Sequence, residues 1–167
     1  SEDLKYAKIV ADHLNTRHFE YIVTEQMMIQ SIEDVIRDIE TYDITTIRAS
    51  TPMYLLSKYI KNNTDITVLF SGEGSDEASG SYMYFHNAPD SNSFNKETVR
   101  LLKDLQYFDV LRSDKSTASN GLEVRVPFLD KEFLQYYMQI DPDLKIPNGK
   151  IEKYLLRKAF DNGLLPD

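Results

Sequence analysis

The residues best suited to chemistry lie together in one short stretch, Ser71-Gly72-Glu73-Gly74-Ser75-Asp76-Glu77. Its two glycines allow a tight turn and let a ligand approach the backbone closely. Ser75 or Asp76 could cap a following helix and leave free amides directed at an anion. Glu73, Asp76 and Glu77 would repel a bare phosphate. A phosphate site here therefore requires a cation between them, and Mg²⁺ shared by carboxylate and phosphate oxygens fits that need. An acidic, solvated turn joining a strand to a helix accounts for the same residues. The stretch is neither a Walker loop, since no Gly-Lys-Ser/Thr follows, nor the dinucleotide pattern G-x-G-x-x-G.

Three further groups carry polar chemistry. Thr41 to Thr51 is rich in hydroxyls and holds Arg48, and hydroxyls with a guanidinium fork suit phosphate or carboxylate recognition. The same types also cap helices and pair with acids. Asp109 and Arg112 stand three apart, so on a helix they share a face, where an intrahelical ion pair is the simpler reading. His86 could move a proton, although the sequence shows no partner for it and a packed histidine fits equally well.

These groups need elements to hold them. Val68-Leu69-Phe70 is a short apolar run, read as a strand buried on both faces of a parallel sheet, with the acid loop at its carboxyl edge. Leu4, Ala7, Val10, Ala11 and Leu14 recur at helical spacing, with Ser1 or Asp3 as cap. His18 to Val23 alternates like a strand. Ile29, Ile32, Val35, Ile36 and Ile39 mark a helix from Thr24 or Glu25 to Glu40, and a second helix is expected over Met53 to Ile60, after Pro52. Asn95 would cap a helix whose apolar face runs Leu101, Leu102, Leu105, Phe108 and Leu111, and which carries Asp109 and Arg112. Gly121 to Asp130 reads as extended, with Val124, Val126 and Phe128 on one side. Helices over Lys131 to Met138 and Ile151 to Asn162 close the chain. Asp141-Pro142-Asp143 and Pro147-Asn148-Gly149 form the turns between them, and Gly163 serves as C-cap. Short strands separated by helices imply an α/β domain.

Composition narrows the class. The 167 residues suffice for one domain, and eleven tyrosines with eight phenylalanines supply a core. Zero cysteines exclude a disulfide scaffold, a zinc–thiolate site and a thiol nucleophile within the chain. A net charge of −8 argues against non-specific nucleic-acid binding. No segment resembles a signal peptide or a membrane span, so a cytoplasmic protein is the default expectation. The sequence starts in a helical pattern without Met and stops without a polar tail, as a piece of a longer polypeptide would.

Four stretches together resemble one family. E-T-Y-D-I-T-T-I-R-A-S (40–50), F-S-G-E-G-S-D-E (70–77), Y-F-H-N-A-P (84–89) and G-L-E-V-R-V-P-F-L-D (121–130) are similar to the synthetase domain of glutamine-dependent asparagine synthetases. The similarity runs from about Ser1 to the end. It implies an incomplete, helix-rich, parallel-sheet ATP-pyrophosphatase fold. It also implies a reaction in which the aspartate side-chain carboxylate attacks the α-phosphorus of ATP, with Mg²⁺ on the departing pyrophosphate. Ammonia released from glutamine in an amino-terminal glutaminase domain of the same parent chain then displaces AMP. By the resemblance, Ser71 and Gly72 contact ATP, Glu73 serves formation of the acyl-adenylate, and Asp76 binds Mg²⁺–pyrophosphate. Thr45 and Arg48 match the hydroxyl and guanidinium acting on the phosphates, and Asp109 and Arg112 match a further polar pair at the active site. A homodimer is compatible with the resemblance, and neither nucleic acid nor membrane is an expected partner.

Departures matter as much. Ala78-Ser79-Gly80-Ser81 stands where bacterial members carry a bulky apolar pair and two glycines, which should alter packing behind the loop. The chain contains no S-G-G-x-D-S-S loop, no W-R-x-K-E-x-F segment and no amino-terminal cysteine, so these residues alone are expected to be inactive. The rivals are a β-lactam synthetase, for which a tyrosine–glutamate dyad in the pocket would speak, and a non-catalytic scaffold. The ligase reading requires Glu73 and Asp76 to face one cleft, with Arg48 close by.

Overall fold

In the computed structural model, which describes residues 2–147 and 151–166, the organising element is a long helix that starts at an acid. Asp43 accepts hydrogen bonds from the Thr46 amide and hydroxyl, both at 2.8 Å, and so begins a helix over Ile44–Asn63. The helix expected only from Met53 thus starts nine residues earlier, and Thr45 and Arg48 lie in its first turns. Pro52 sits inside it and cannot donate to a carbonyl one turn back, while the Thr51 hydroxyl bonds the Ile47 carbonyl at 2.7 Å.

Helices α1 (Glu2–His13) and α2 (Glu25–Ile39) precede this long helix, α3. Thr24 caps α2 by accepting from the Met27 amide, and Glu40 ends it in a left-handed conformation, at the boundaries the sequence implied. On α2, Ser31, Val35 and Ile39 are buried, a stripe at fourfold spacing. Val35 and Ile39 pack with Tyr54 of α3 and with Ile47. The Tyr54 hydroxyl donates to Asp38 at 2.7 Å, and burial followed by that bond pushes its phenol up to about 12. Between α1 and α2, residues 18–23 form no strand. Alternation alone does not make one, because a strand needs a ladder partner and none lies beside it among the described residues; Tyr21 instead stacks on Tyr59 at 4.4 Å.

The sheet is small: β1 (Val68–Phe70) pairs in parallel with β2 (Glu123–Arg125), Leu69 opposite Val124. Burial on both faces is not observed. Phe70 is 80 % exposed, because β2 is the one strand beside β1 among the described residues. On β2, Glu123 and Arg125 satisfy each other at 2.5 Å, and the expected extension past Arg125 gives way to a 3-10 turn at Pro127–Leu129.

The crossover from β1 to β2 holds three helices: α4 (Ser75–Ser79), α5 (Ser91–Asp104) and α6 (Asp109–Ala118). Asp90, not Asn95, caps α5 by accepting from the Ser93 amide at 2.6 Å. The helix expected to continue through Leu111 breaks at a 3-10 turn over Leu105–Tyr107, and Asp109 opens a separate helix. Helix α6 makes the most extensive helix contact with α3. Ser50 and Ser57 on α3, and Ser113 and Ser116 on α6, are fully buried, and such small side chains leave room for two helix axes to approach.

Past β2 come α7 (Lys131–Gln139), capped by Asp130, α8 (Pro142–Lys145) and α9 (Tyr154–Ala159). Helix α8 occupies the expected Asp141–Asp143 turn. Helix α9 is shorter than expected, and its C-cap is Phe160 rather than Gly163, whose carbonyl instead lies 3.0 Å from His13. The proposed Ser1 cap and the Asn148-Gly149 part of the following turn lie outside the described residues. Among the described residues, no helix is long and apolar enough to cross a membrane.

Candidate active site

The acid loop leaves β1 under constraint. The Ser71 amide donates to the Arg125 carbonyl of β2 at 2.9 Å, and the Ser71 hydroxyl accepts from the Glu73 amide at 3.4 Å. Gly74 takes φ +85°, a left-handed conformation that favours glycine, and a Cβ there would fall 2.2 Å from Leu129 Cδ2. Gly74 therefore serves as N-cap of α4 without a side-chain cap bond, where Ser75 or Asp76 was expected. At its far end α4 stops after five residues at Gly80 (φ +61°), where a Cβ would lie 2.4 Å from the ring of buried Phe94. The departure Ala78-Ser79-Gly80-Ser81 thus makes a short helix seated directly against an aromatic ring. Gly72 differs: a Cβ there would meet nothing within 4 Å, so the fold itself does not need a glycine at this position.

Ser71, Gly72, Glu73, Asp76, Asp109 and Arg112 all line one cleft of about 530 Å³. Six of the eight expected site residues therefore converge from the loop and from α6. Thr45 lines a larger adjoining cavity of about 760 Å³, and the two spaces share a wall of Glu77, Tyr82, Asp109 and Arg112. Arg48 lines neither. It is exposed, with no hydrogen bond or ion pair among the described residues, and lies three positions past Thr45, on the same face of α3.

The two acids expected to act have opposite electrostatics. Arg112 bonds Asp109 at 2.9 Å, the anticipated intrahelical pair, and also reaches Glu73 at 3.4 Å. Burial nevertheless pushes the Glu73 carboxyl above its ordinary value. Arg112 opposes the shift, and the charges of Asp109 and Glu77 add to it. At Asp76 burial also acts upward, but hydrogen bonds from Ser81 and Lys153 outweigh it and hold the carboxyl below the ordinary range. The Lys153 ammonium lies 3.0 Å from Asp76 and donates to the Ser75 hydroxyl at 2.9 Å.

Lys153 was not visible as a site residue in the sequence. It acts from the other end of the chain, out of a left-handed conformation (φ +57°) that a sequence pattern does not reveal. His86 has a partner the sequence did not show, Glu152, at 2.9 Å. Tyr82 was missed as well. Its hydroxyl donates to Glu77, and burial followed by that bond raises the phenol pKa.

Among the described residues, no three His, Asp or Glu side chains converge as a metal cage. The donor set does not fit a metal held by protein alone. It does fit Mg²⁺ carried on phosphates and touched by one or two carboxylates, the usual mode for that ion.

The asparagine synthase family profile matches residues 1–100 and 88–167. The chain belongs to the asparagine synthase family. Over 167 residues it is 54 % identical to the glutamine-hydrolyzing asparagine synthetase of Gallus gallus, 53 % to that of Rattus norvegicus and 52 % to that of Homo sapiens. Each alignment covers 99 % of this chain, and the chain spans 30 % of the length of each relative. A tyrosine–glutamate pair does stand in the wall of the cleft, the feature that would have spoken for a β-lactam synthetase. The relatives that bear the asparagine synthetase name at this identity outweigh that pair, and neither rival is favoured.

Proposed function

We propose that this chain is part of an ATP-dependent, glutamine-hydrolysing asparagine synthetase and contributes one wall of its adenylation site, within a fold of the ATP-pyrophosphatase type. The observation that carries the reading is the convergence of Glu73 and Asp76 with Ser71, Gly72, Asp109 and Arg112 on one cleft, in a chain 52 % identical to named asparagine synthetases.

In this reading the open space at Gly72 admits a triphosphate against the backbone, and Ser71 lies beside it. Asp76, held ionised, is the acid that would meet Mg²⁺. That ion, when bound, neutralises the phosphate oxygens and the departing pyrophosphate. Lys153, now on Asp76, lies within reach of the same charges. Thr45 lines the neighbouring space, and Arg48, which lines neither space, stands one turn further along the same face of α3. An oxygen of the aspartate β-carboxylate attacks the α-phosphorus, the bond to the β-phosphate oxygen breaks, and pyrophosphate leaves. Ammonia, supplied from glutamine by a glutaminase domain, adds to the acyl carbon and loses a proton as AMP departs, giving asparagine. Glu73 faces this chemistry with its pKa raised by burial, which favours the protonated form more than an exposed carboxyl would. Most of the work assigned to the protein is positioning and charge compensation. A homodimer and a cytoplasmic location belong to the same proposal.

The test is made in a polypeptide that joins these residues to an S-G-G-x-D-S-S loop, a W-R-x-K-E-x-F segment and a glutaminase domain. Aspartate-dependent release of pyrophosphate is expected there, and Glu73→Ala should lower it by at least a hundredfold. The 167 residues alone should release none. No aspartate-dependent release in the joined polypeptide overturns the ligase reading. Release by the 167 residues alone overturns the expected inactivity.

A further inference from the structure

Glu77 is the most deeply buried acid of the loop, 4 % exposed, yet it lines both the cleft and the larger cavity. One of its oxygens accepts from Tyr82. The other has no hydrogen bond among the described residues, and it is not sealed in the protein as the Ser50 hydroxyl is. No Lys, Arg or His lies within ion-pair distance of Glu77 among the described residues. Arg112, on the same wall, is engaged by Glu73 and Asp109. A carboxyl buried with one hydrogen bond and no cation beside it leaves one oxygen unpartnered toward the cavity, and a small cation arriving from there would complete its environment.

We propose that Glu77, held in place by Tyr82, receives a primary ammonium group that enters through the larger cavity. The carboxyl and the aromatic rings beside it favour that class of cation, although Arg100, Arg112 and Lys115 also line the cavity. Mg²⁺ prefers close to six hard oxygens and dehydrates reluctantly, whereas an ammonium needs one carboxylate oxygen and accepts an aromatic wall. Tyr82 and Tyr84 provide such a wall, stacked with centroids 6.2 Å apart and 8° between planes. Burial and the Glu77 bond keep Tyr82 protonated, so it fixes one carboxylate oxygen and leaves the other to the ligand. Two ammonium sources share this chemistry: the α-ammonium of an amino-acid substrate, and ammonium itself as nitrogen donor. The choice between them rests on the proposed function; the existence of the site does not.

The site is tested on the 167-residue chain by titrating methylammonium chloride while following the ring signals of ¹³C-labelled Tyr82, with sodium chloride at matched ionic strength as control. A saturable shift is expected with methylammonium and not with sodium, weakened at least tenfold in Glu77→Gln. If Glu77→Gln does not fold, tetramethylammonium replaces that comparison, because a cation without N–H cannot bond the free carboxylate oxygen and should bind at least tenfold more weakly than methylammonium. L-aspartate saturating the signal while N-acetyl-aspartate fails identifies the α-ammonium; ammonium chloride saturating it while aspartate fails identifies the nitrogen donor. A Tyr82 signal unmoved by methylammonium, aspartate and ammonium, or moved equally in Glu77→Gln or by tetramethylammonium, overturns the proposal. None of these titrations contains ATP, so their failure leaves adenylation untouched, and the reverse holds.

Discussion

Glu73 and Asp76 stand on either side of Gly74, yet they are anchored to different parts of the molecule, and their carboxyl pKa values shift in opposite directions. Glu73 is tied to α6 through Arg112, in surroundings where lost hydration outweighs the guanidinium. Asp76 is tied to Ser81 behind it and to Lys153 from the C-terminal region, and these donors outweigh a similar loss of hydration. Residue type therefore does not fix what an acid in this loop can do. The number and placement of its donors does, so one carboxyl is pushed toward its protonated form and the other toward its ionised form.

The strongest way to break this arrangement is to remove the frame that both anchors share. Gly80→Ala forces a side chain into a left-handed conformation and against the Phe94 ring, and should cost about 3 kcal/mol, read as a fall in the urea midpoint. An unchanged midpoint would show that α4 can end elsewhere. Next in size is the α6 anchor. Arg112→Gln strips a largely buried cation from two acids, with side chains 22 % exposed at Arg112 and 16 % at Glu73. About 2 kcal/mol of stability should be lost, and the Glu73 carboxyl should move further up in a ¹³C NMR titration. The C-terminal anchor is more exposed, 45 % at Asp76, and Lys153→Met should cost only about 0.5 kcal/mol, a difference that shrinks as salt is added. Equal losses from the two anchors would erase the distinction drawn here.

The smallest effect is a pair of slopes. Glu73 has a folded pKa above its ordinary 4.5, so the native state binds the extra proton. Relative to Glu73→Gln, the wild-type chain should gain stability as pH falls through that raised value toward 4.5. Asp76 has a folded pKa below 3.8, so its contribution is present above 3.8. Relative to Asp76→Asn, the wild-type chain should lose stability as pH falls from 3.8 through the lowered value. Denaturation of the three proteins across the acid range checks both, and slopes of one sign would refute the assignment.

The elements that could be read in the sequence were those whose signal is local. Thr24 and the Val35–Ile39 periodicity defined α2, and the apolar run Val68–Phe70 followed by the acid loop placed β1. Elements that depend on a distant partner were misread. Residues 18–23 alternate properly but have no strand beside them. The break at Leu105–Tyr107 contains neither Gly nor Pro; it separates α5, which packs on α4 and α8, from α6, which packs on α3. The site was legible where it is contiguous, from Ser71 to Asp76, and where spacing fixes a pair, as for Asp109 and Arg112. Lys153 and the Glu77–Tyr82 pair were not, since their roles come from burial and from contacts across the chain. Arg48 shows the converse: its type is suggestive, and its side chain lies outside both cavities.

The strand that launches the acid loop is paired in parallel with one that follows α4, α5 and α6, and the Ser71 amide is fixed by Arg125 of that second strand. A parallel pairing across three helices cannot close until those helices have collapsed, because the chain between must first give up its freedom. The cleft that the acid loop shares with α6 is therefore a late product of assembly. A chain stalled with its helices formed and its two strands apart would leave the Ser71 amide without its Arg125 carbonyl and would lack the cleft on which Glu73 and Asp76 converge.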